Sequence, residues 1–158
     1  MTIGTVFFDG GLRAKKNAPT GIGACAAILH LENTFEAMKG LVVRDVLDPI
    51  GVASYLGPGH TTNTAEYEGL LLALRLAKQH GVAHVQVVGD SKLVVEQALG
   101  AWKVNEPHLK KYVDMAQELA RQFEVAEILH VRRHMNKEAD KMVTALLDRK
   151  TGSIRKQK

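Results

Sequence analysis

Residues 61–100 read TTNTAEYEGLLLALRLAKQHGVAHVQVVGDSKLVVEQALG and contain a helix, a strand and a second helix in succession. The apolar side chains between Asn63 and His80 recur at helical spacing, which predicts a helix with one inward face that Gly81 ends. The segment HVQVVGD is short and nearly all apolar, as expected of a strand at the centre of a sheet covered on both faces. Ser91 can cap the next helix, which stops at Gly100.

Strand patterns precede this unit. IGTVFFD, residues 3–9, is predicted to be a strand that Gly10 and Gly11 break. GIGACAAILHL and GLVVRDV, residues 21–31 and 40–46, are the predicted second and third strands. Residues 48–61 are rich in glycine and proline, which predicts an irregular stretch with room for a short extra strand.

Helix and strand patterns alternate after residue 100. Pro107 is well placed to open a helix that runs to about Phe123, because proline fits the first helical position. AEILHVR, residues 126–132, is the last predicted strand, and Lys137 to about Leu147 the last helix. Three early strands in sequence predict an antiparallel section joined to parallel crossovers. The expected fold class is α/β: a three-layer domain with a five-stranded mixed sheet and helices on both faces.

The composition limits the class of protein. A chain of 158 residues fits one domain, predicted over 1–148, followed by a basic, flexible tail over 149–158. The tail holds five basic and no acidic residues, whereas the rest of the chain is nearly neutral. It predicts polyanion contact, although a solvated disordered terminus explains it equally well. No apolar run approaches the roughly 20 residues that cross a bilayer, and no secretory leader pattern is present, so a cytoplasmic location is expected.

The single cysteine, Cys25, excludes an internal disulfide framework and a multi-cysteine zinc site. It lies in the apolar run GIGACAAIL, which predicts a small buried side chain. A catalytic thiol is the alternative, but no neighbouring cation would lower its pKa.

Four acidic residues fall where α/β folds place functional sites. Asp9 and Asp90 each end a predicted strand, Asp140 lies in the first turn of the last helix, and Glu66 lies in the first turn of the helix over residues 63–80. Because adjacent strands end at one rim of a sheet, we expect the four carboxylates to converge there. Each has a structural alternative: a turn for Asp9, a cap for Asp90, and helix-dipole stabilisation for Asp140 and Glu66.

Converging carboxylates repel one another unless cations neutralise them. Hard divalent ions with oxygen ligands suit such a cluster, and Mg²⁺ fits because it retains waters and a substrate phosphate as further ligands. Two such ions can activate a water and stabilise the leaving oxygen of a phosphoryl displacement. The four residues therefore predict a metal-dependent nuclease.

Four segments together resemble the motifs of type 1 ribonuclease H, in that family's order. They are VFFDGG at 6–11, TTNTAEYEGLLLAL at 61–74, VVGDSKLVVEQALGAWKV at 87–104 and HVRRHMNKEADKMV at 130–143. The last segment is similar to the bacterial, archaeal and plant-like branch. The resemblance covers residues 3–147 and implies a ribonuclease H-like fold. It also implies hydrolysis of the RNA strand of RNA–DNA hybrids to 5′-phosphate and 3′-hydroxyl ends, with two Mg²⁺ ions or Mn²⁺ as a substitute.

The resemblance also implies a role for each acid. Asp9 would bridge both metals, and Asp140 would share the metal that activates the water. Glu66 and Asp90 would hold the metal on the leaving-group side. His134, in the loop before Asp140, is the candidate helper for product release or proton transfer. His130 is interpreted as structural.

Substrate contacts follow from the same resemblance. Asn63 matches a position that contacts the minor groove, where 2′-hydroxyls distinguish RNA from DNA. Backbone groups around Gly10 and Gly11 could approach a ribose closely, because no side chain blocks them. Trp102 resembles an aromatic residue of the substrate-side wall, and a core anchor is the equal alternative.

Three departures from the family pattern concern the same surface. Thr62 stands where the family often has asparagine, and Lys92 where it usually has glutamine, which favours phosphate contact. Asn17 is a weak candidate for the asparagine of a turn after the first strand. We expect neither the extended basic protrusion of some relatives nor an N-terminal hybrid-binding domain, and we hypothesise that the basic tail partly substitutes for both.

Two other functions remain open on the sequence. One is a non-catalytic nucleic-acid-binding module that keeps the fold. The other is a related two-metal nuclease, such as a junction resolvase or an exonuclease. An RNA–DNA hybrid is the expected partner, with no membrane and no obligate protein partner.

Overall fold

The computed structural model describes residues 2–36 and 42–152. Six strands and four α-helices lie in this part of the chain, together with one turn of 3₁₀-helix at Arg133–Met135. The strands are β1 Thr2–Arg13, β2 Gly21–Glu36, β3 Val42–Val46, β4 Ile50–His60, β5 His84–Gly89 and β6 Val125–His130. The helices are α1 Thr62–Gln79, α2 Lys92–Ala98, α3 Pro107–Ala120 and α4 Lys137–Thr151.

The strands form one mixed sheet, five strands wide. β2 pairs antiparallel with β1, whose other edge pairs in parallel with β5, and β5 pairs in parallel with β6. The free edge of β2 is occupied first by β4 and further along by β3, both antiparallel. This confirms the predicted α/β fold with an antiparallel section joined to parallel crossovers.

Helices cover both faces of the sheet. The larger core lies between the sheet and α1, α2 and α3, and it includes Val6, Phe8 and Leu29 from the strands. On the opposite face α4 packs Val143 and Leu147 against the small side chains of β2. Alternate positions of β2 therefore serve different cores, Ala27 and Leu29 the larger one and Ala24 and Ala26 the smaller one, which the two-residue period of a strand allows. The predicted three layers are confirmed.

The predicted end of β1 is wrong. The strand continues through Gly10 and Gly11 to Arg13, so Asp9 lies within it rather than at its end. A Cβ on Gly10 would lie 2.2 Å from the backbone of Ala65 in α1, and one on Gly11 would lie 2.6 Å from Val143 in α4. The two glycines thus allow helices to approach the strand from both faces and do not break it.

The irregular stretch predicted over 48–61 is also wrong in extent. Its residues 50–60 form β4, which is 11 residues long and pairs with β2 over most of its length. Gly57 and Gly59 adopt positive φ angles, and the register shifts opposite Gly23. Bulges of this kind absorb turn-forming residues without ending the strand.

The helix boundaries agree closely with the sequence pattern. Thr61 caps α1, Ser91 caps α2 and Pro107 opens α3, which ends three residues before the predicted Phe123. The last helix, α4, is four residues longer than predicted, so Arg149 and Lys150 of the expected tail are helical. Residues 153–158 of that tail lie outside the described residues.

Two further expectations concern the interior. Cys25 is buried, and desolvation raises the pKa of its thiol to about 12, as expected of a small core residue. None of the helices in the described residues is long and apolar enough to span a membrane.

Candidate active site

Asp9 lies where the sheet opens between β1 and β5. The last pair of the two strands joins Phe8 to Gly89, after which β5 has ended while β1 continues. Side chains from helices on both faces can therefore reach Asp9 through this gap. Asp9 itself is only 5% exposed.

Glu66 reaches the gap from the first turns of α1, and it is also 5% exposed. Its placement depends on Gly10 and Gly69, because a Cβ at either position would collide with the backbone of the facing element. One carboxylate oxygen of Glu66, Oε2, is buried and has no hydrogen-bond partner in the described structure.

Asp90 follows β5 directly and completes a compact group. Asp9, Glu66 and Asp90 each offer a carboxylate oxygen within 4.8 Å of the other two. Asp90 is partly buried, and its Oδ2 accepts a hydrogen bond of 3.1 Å from the Asn136 side chain.

Asp140 belongs to the same neighbourhood but stands outside that closest group of three. It lies in the first turn of α4 and is partly buried. Its negative charge raises the pKa of both Asp9 and Asp90. The structure thus brings together the four acids that the sequence singled out.

Burial and mutual repulsion shift the titration of the acids. Desolvation, with help from the charges of Asp90 and Asp140, raises the pKa of Asp9 to about 7. Desolvation, with help from the charges of Asp9 and Asp90, raises the pKa of Glu66 well above its usual range. Desolvation also raises the pKa of Asp90, although Asn136, Arg133 and His130 oppose the shift.

This arrangement fits a divalent cation better than it fits a structural role. Carboxylate groups at such short range are stable together only if they share protons or bind a positive ion. The partnerless Glu66 Oε2 supplies an oxygen that a cation can take up. An all-oxygen group of ligands is what Mg²⁺ and Mn²⁺ prefer.

Sequence reasoning gave no role to Asn136 and Arg133, and it interpreted His130 as structural. Asn136 is buried beside Asp90, whereas His130 and Arg133 are exposed and lower the pKa of Asp90 by their charge. His134 is exposed and lines a cavity of about 290 Å³ with Phe7. For Arg133, His134 and Asn136 the only sequence signal is their place in the loop before Asp140, whereas His130 lies at the end of β6.

Three of the proposed groove contacts, Gly10, Thr62 and Asn63, are close in the chain to Asp9 or Glu66. Asn63 and the exposed Thr62 lie in the first turn of α1, within one turn of Glu66. Gly10 is buried against α1. As a glycine it can offer a ligand only its backbone. Asn17 is exposed in the turn between β1 and β2, where its φ of 64° is one that asparagine tolerates.

Lys92 and Trp102 form one surface feature beside α2. Trp102 is 43% exposed, which argues against the core-anchor alternative. The ammonium of Lys92 lies 5.8 Å from the centre of the indole ring, within the range of a cation–π contact. An aromatic face and a cation on one surface can accept a base or sugar and a phosphate.

Comparisons with known proteins agree with this architecture. A family model described as "Reverse transcriptase-like" matches residues 13–145, which include Glu66, Asp90 and Asp140. The N-terminal RNase H domain of Rv2228c from Mycobacterium tuberculosis has a similar structure, with a TM-score of 0.74 and 32% identity, covering 97% of this chain and 99% of that chain. The chain therefore belongs to the reverse transcriptase-like family, and within it to the type 1 ribonucleases H.

Two more known proteins are similar to this chain. Ribonuclease HI of Halobacterium salinarum is 38% identical over 109 residues, covering 69% of this chain and 51% of the relative. LC11-RNase H1, solved in complex with an RNA/DNA hybrid, has a TM-score of 0.71 and 27% identity, covering 93% of this chain and 98% of that chain. The chain spans about half the length of the Halobacterium relative and 34% of the Rv2228c protein.

Proposed function

We propose that this protein is an endonuclease that hydrolyses the RNA strand of RNA–DNA hybrids, leaving 5′-phosphate and 3′-hydroxyl ends. The observation that carries the proposal is the compact group of the buried Asp9 and Glu66 with the partly buried Asp90, whose carboxylate oxygens lie within 4.8 Å of one another. Membership of the type 1 ribonuclease H family supports it. The hybrid bound to LC11-RNase H1 supports the choice of substrate.

The four acids are proposed to hold two Mg²⁺ ions, with Mn²⁺ as a substitute. Asp9 would be a ligand of both ions, Asp140 would help to hold the ion that activates the water, and Glu66 and Asp90 would hold the ion that stabilises the leaving group. Bound divalent ions would supply an acidified water and a positive charge for the leaving oxygen. The burial of Asp9 and Glu66 keeps competing water away and strengthens the electrostatic interactions between the carboxylates and bound cations.

The surface around the acids is proposed to select the hybrid. Asn63, Thr62 and the backbone at Gly10 and Gly11 would contact 2′-hydroxyls in the minor groove, since this is how proteins distinguish RNA from DNA. Lys92 and Trp102 would contact a phosphate and a sugar or base of the hybrid.

Less central assignments belong to the same proposal. Asn17 is a secondary substrate contact, and His134 is a helper in product release or proton transfer. We also propose a cytoplasmic location and no obligate protein partner.

The test is a cleavage assay on three labelled duplexes of one sequence: RNA–DNA hybrid, duplex DNA and duplex RNA. With Mg²⁺ we expect internal cuts in the RNA strand of the hybrid and intact duplex DNA. EDTA should stop the reaction, and the products should carry 5′-phosphate ends that a phosphatase removes.

Two outcomes would contradict the proposal. Binding of the hybrid without any cleavage at saturating Mg²⁺ or Mn²⁺ would indicate a non-catalytic module. Cleavage of duplex DNA at a rate equal to that of the hybrid would indicate another two-metal nuclease on this fold.

A further inference from the structure

Asn136 is a buried polar residue at the junction between the 3₁₀ turn and α4, with only 2% of its surface exposed. Its backbone N–H donates to the carbonyl of Arg133 at 3.0 Å, and its carbonyl accepts from the N–H of Asp140 at 3.2 Å. The residue therefore fixes the start of the helix that carries Asp140.

The side chain of Asn136 connects two other segments of the site. Its Nδ2 donates to the carbonyl of Phe8 at 2.8 Å, directly before Asp9 in β1. The same nitrogen donates to Oδ2 of Asp90 at 3.1 Å. One residue thus joins the segments that carry Asp9, Asp90 and Asp140, which lie far apart in the sequence.

The side-chain oxygen of Asn136 is not used as it usually is at the start of a helix. Asparagine at such a position usually caps the helix with its side-chain oxygen, yet α4 has no side-chain cap. Oδ1 of Asn136 is buried without a partner in the described structure, so it bears the desolvation penalty of an unsatisfied acceptor. A residue selected for stability alone would be expected to use that oxygen.

The amide is chemically suited to hold Asp90 without competing for its charge. An NH₂ group has two donors, one for the Phe8 carbonyl and one for the carboxylate. Because it is neutral, it orients Asp90 while the negative charge stays available to a cation. A lysine or arginine there would neutralise Asp90, and an aspartate would repel it.

We propose that Asn136 is a positioning residue that holds Asp90 in register with Asp9 and Asp140 for binding of divalent cations. The inference rests on the proposed function for the identity of the site. Removal of such outer partners of metal ligands typically weakens metal affinity by roughly 10–100-fold.

The test compares Mn²⁺ affinity and thermal stability in the whole chain without nucleic acid. Asn136→Ala removes both side-chain hydrogen bonds. Gln97→Ala is the matched control, because Gln97 is another buried amide that accepts from the Tyr67 hydroxyl and donates to the Lys103 carbonyl, away from the carboxylates. Both variants should unfold at lower temperature, but only Asn136→Ala should lose Mn²⁺ affinity, by roughly 10–100-fold.

Asn136→Ser separates positioning from helix stability. Serine is a good cap for α4, so this variant should fold at least as well as Asn136→Ala, but it is too short to span Phe8 and Asp90. We expect its Mn²⁺ affinity to stay low although the helix is capped. Parent-like affinity in either Asn136 variant, or an equal loss in Gln97→Ala, would overturn the inference.

The parent protein decides which claim fails. If the parent binds Mn²⁺ but does not cut the hybrid, the proposed function fails and the affinities still decide the role of Asn136. If the parent cuts the hybrid and the Asn136 variants bind Mn²⁺ as it does, the inference alone fails. A parent that binds no divalent cation would overturn both.

Discussion

Asp9 and Glu66 are charged residues in a place where a negative charge is unfavourable. Both are 5% exposed and lie beside another carboxylate, and no lysine or arginine forms an ion pair with either in the described residues. Such a pair is stable without metal only if it retains a proton at neutral pH. We interpret this instability as the energetic basis of cation binding.

The first prediction concerns the stability of Asp9→Asn in EDTA. Folding raises the pKa of Asp9 from 3.8 to about 7, so between these values the folded protein holds a proton that the unfolded chain has released. Stability is therefore lost as the pH increases through this window, and the penalty is complete above about pH 7. Asparagine escapes the penalty, so calorimetry should show a higher Tm for the variant at about pH 8 and little difference at about pH 4.

The chain length sets the expected change in Tm. Each kcal/mol of penalty that Asp9→Asn removes should raise Tm by roughly 2–4 °C in a protein of this size. The control is Asp114→Asn, on an exposed turn of α3. A gain in Tm for Asp9→Asn that is equal at both pH values would contradict the raised pKa of Asp9 in the folded protein.

The four acids could be predicted from the sequence because each lies at a predicted strand end or in the first turns of a helix, and this holds for Asp9 although β1 continues past it. Asn136 could not. Its partner Phe8 lies 128 residues away, and a polar residue directly before a helix is ordinarily interpreted as a cap. Only the three-dimensional structure shows that the side chain turns to the sheet instead.

Among the elements, β1 and α1 are in closest contact at Gly10. A Cβ at this position would lie 2.2 Å from both the carbonyl carbon and oxygen of Ala65, where backbone cannot give way as a flexible side chain would. Because Glu66 is the next residue of α1, the distance between the two elements also sets the distance between Glu66 and Asp9.

The second prediction follows from this packing. Gly10→Ala should lower the free energy of unfolding by roughly 3 kcal/mol, the upper part of the usual range for overpacking. Gly51→Ala is the matched control, because the one tight contact of its Cβ would be with the flexible end of Met142 at 3.2 Å, beside an ordinary contact with Ile28 at 3.9 Å. Urea denaturation of both variants measures the difference, and equal losses would contradict the role of Gly10.

Element boundaries were harder to predict than elements. The apolar and β-branched residues of 3–9 predict β1 correctly, but glycines usually mark turns, so the sequence does not indicate that β1 continues to Arg13. For the same reason, Gly57 and Gly59 predict an irregular stretch where the structure has the strand β4. In β1 the glycines face Ala65 of α1 and Val143 of α4, which come from distant parts of the sequence that a local pattern does not contain.

At the scale of the whole molecule, the site depends on the gap in the sheet where β5 ends at Gly89 and β1 continues to Arg13. Residues from both helical layers reach this gap. Glu66 comes from a helix on one face, Asp140 from the helix on the other, and Asp9 and Asp90 from the strands between them. The order of strands in the sheet is thus the reason that residues 131 positions apart in the chain can serve one centre.

The most direct test of this account is the rate of hybrid cleavage by Asp9→Asn at saturating Mg²⁺, measured beside the parent and beside hybrid binding by the same variant. Loss of a shared metal ligand should remove several kcal/mol of transition-state stabilisation, so we predict a rate at least roughly a thousandfold lower. Binding of the hybrid should persist, because the groove contacts remain. Cleavage within a few-fold of the parent's rate would contradict the central claim that these carboxylates act together on divalent cations.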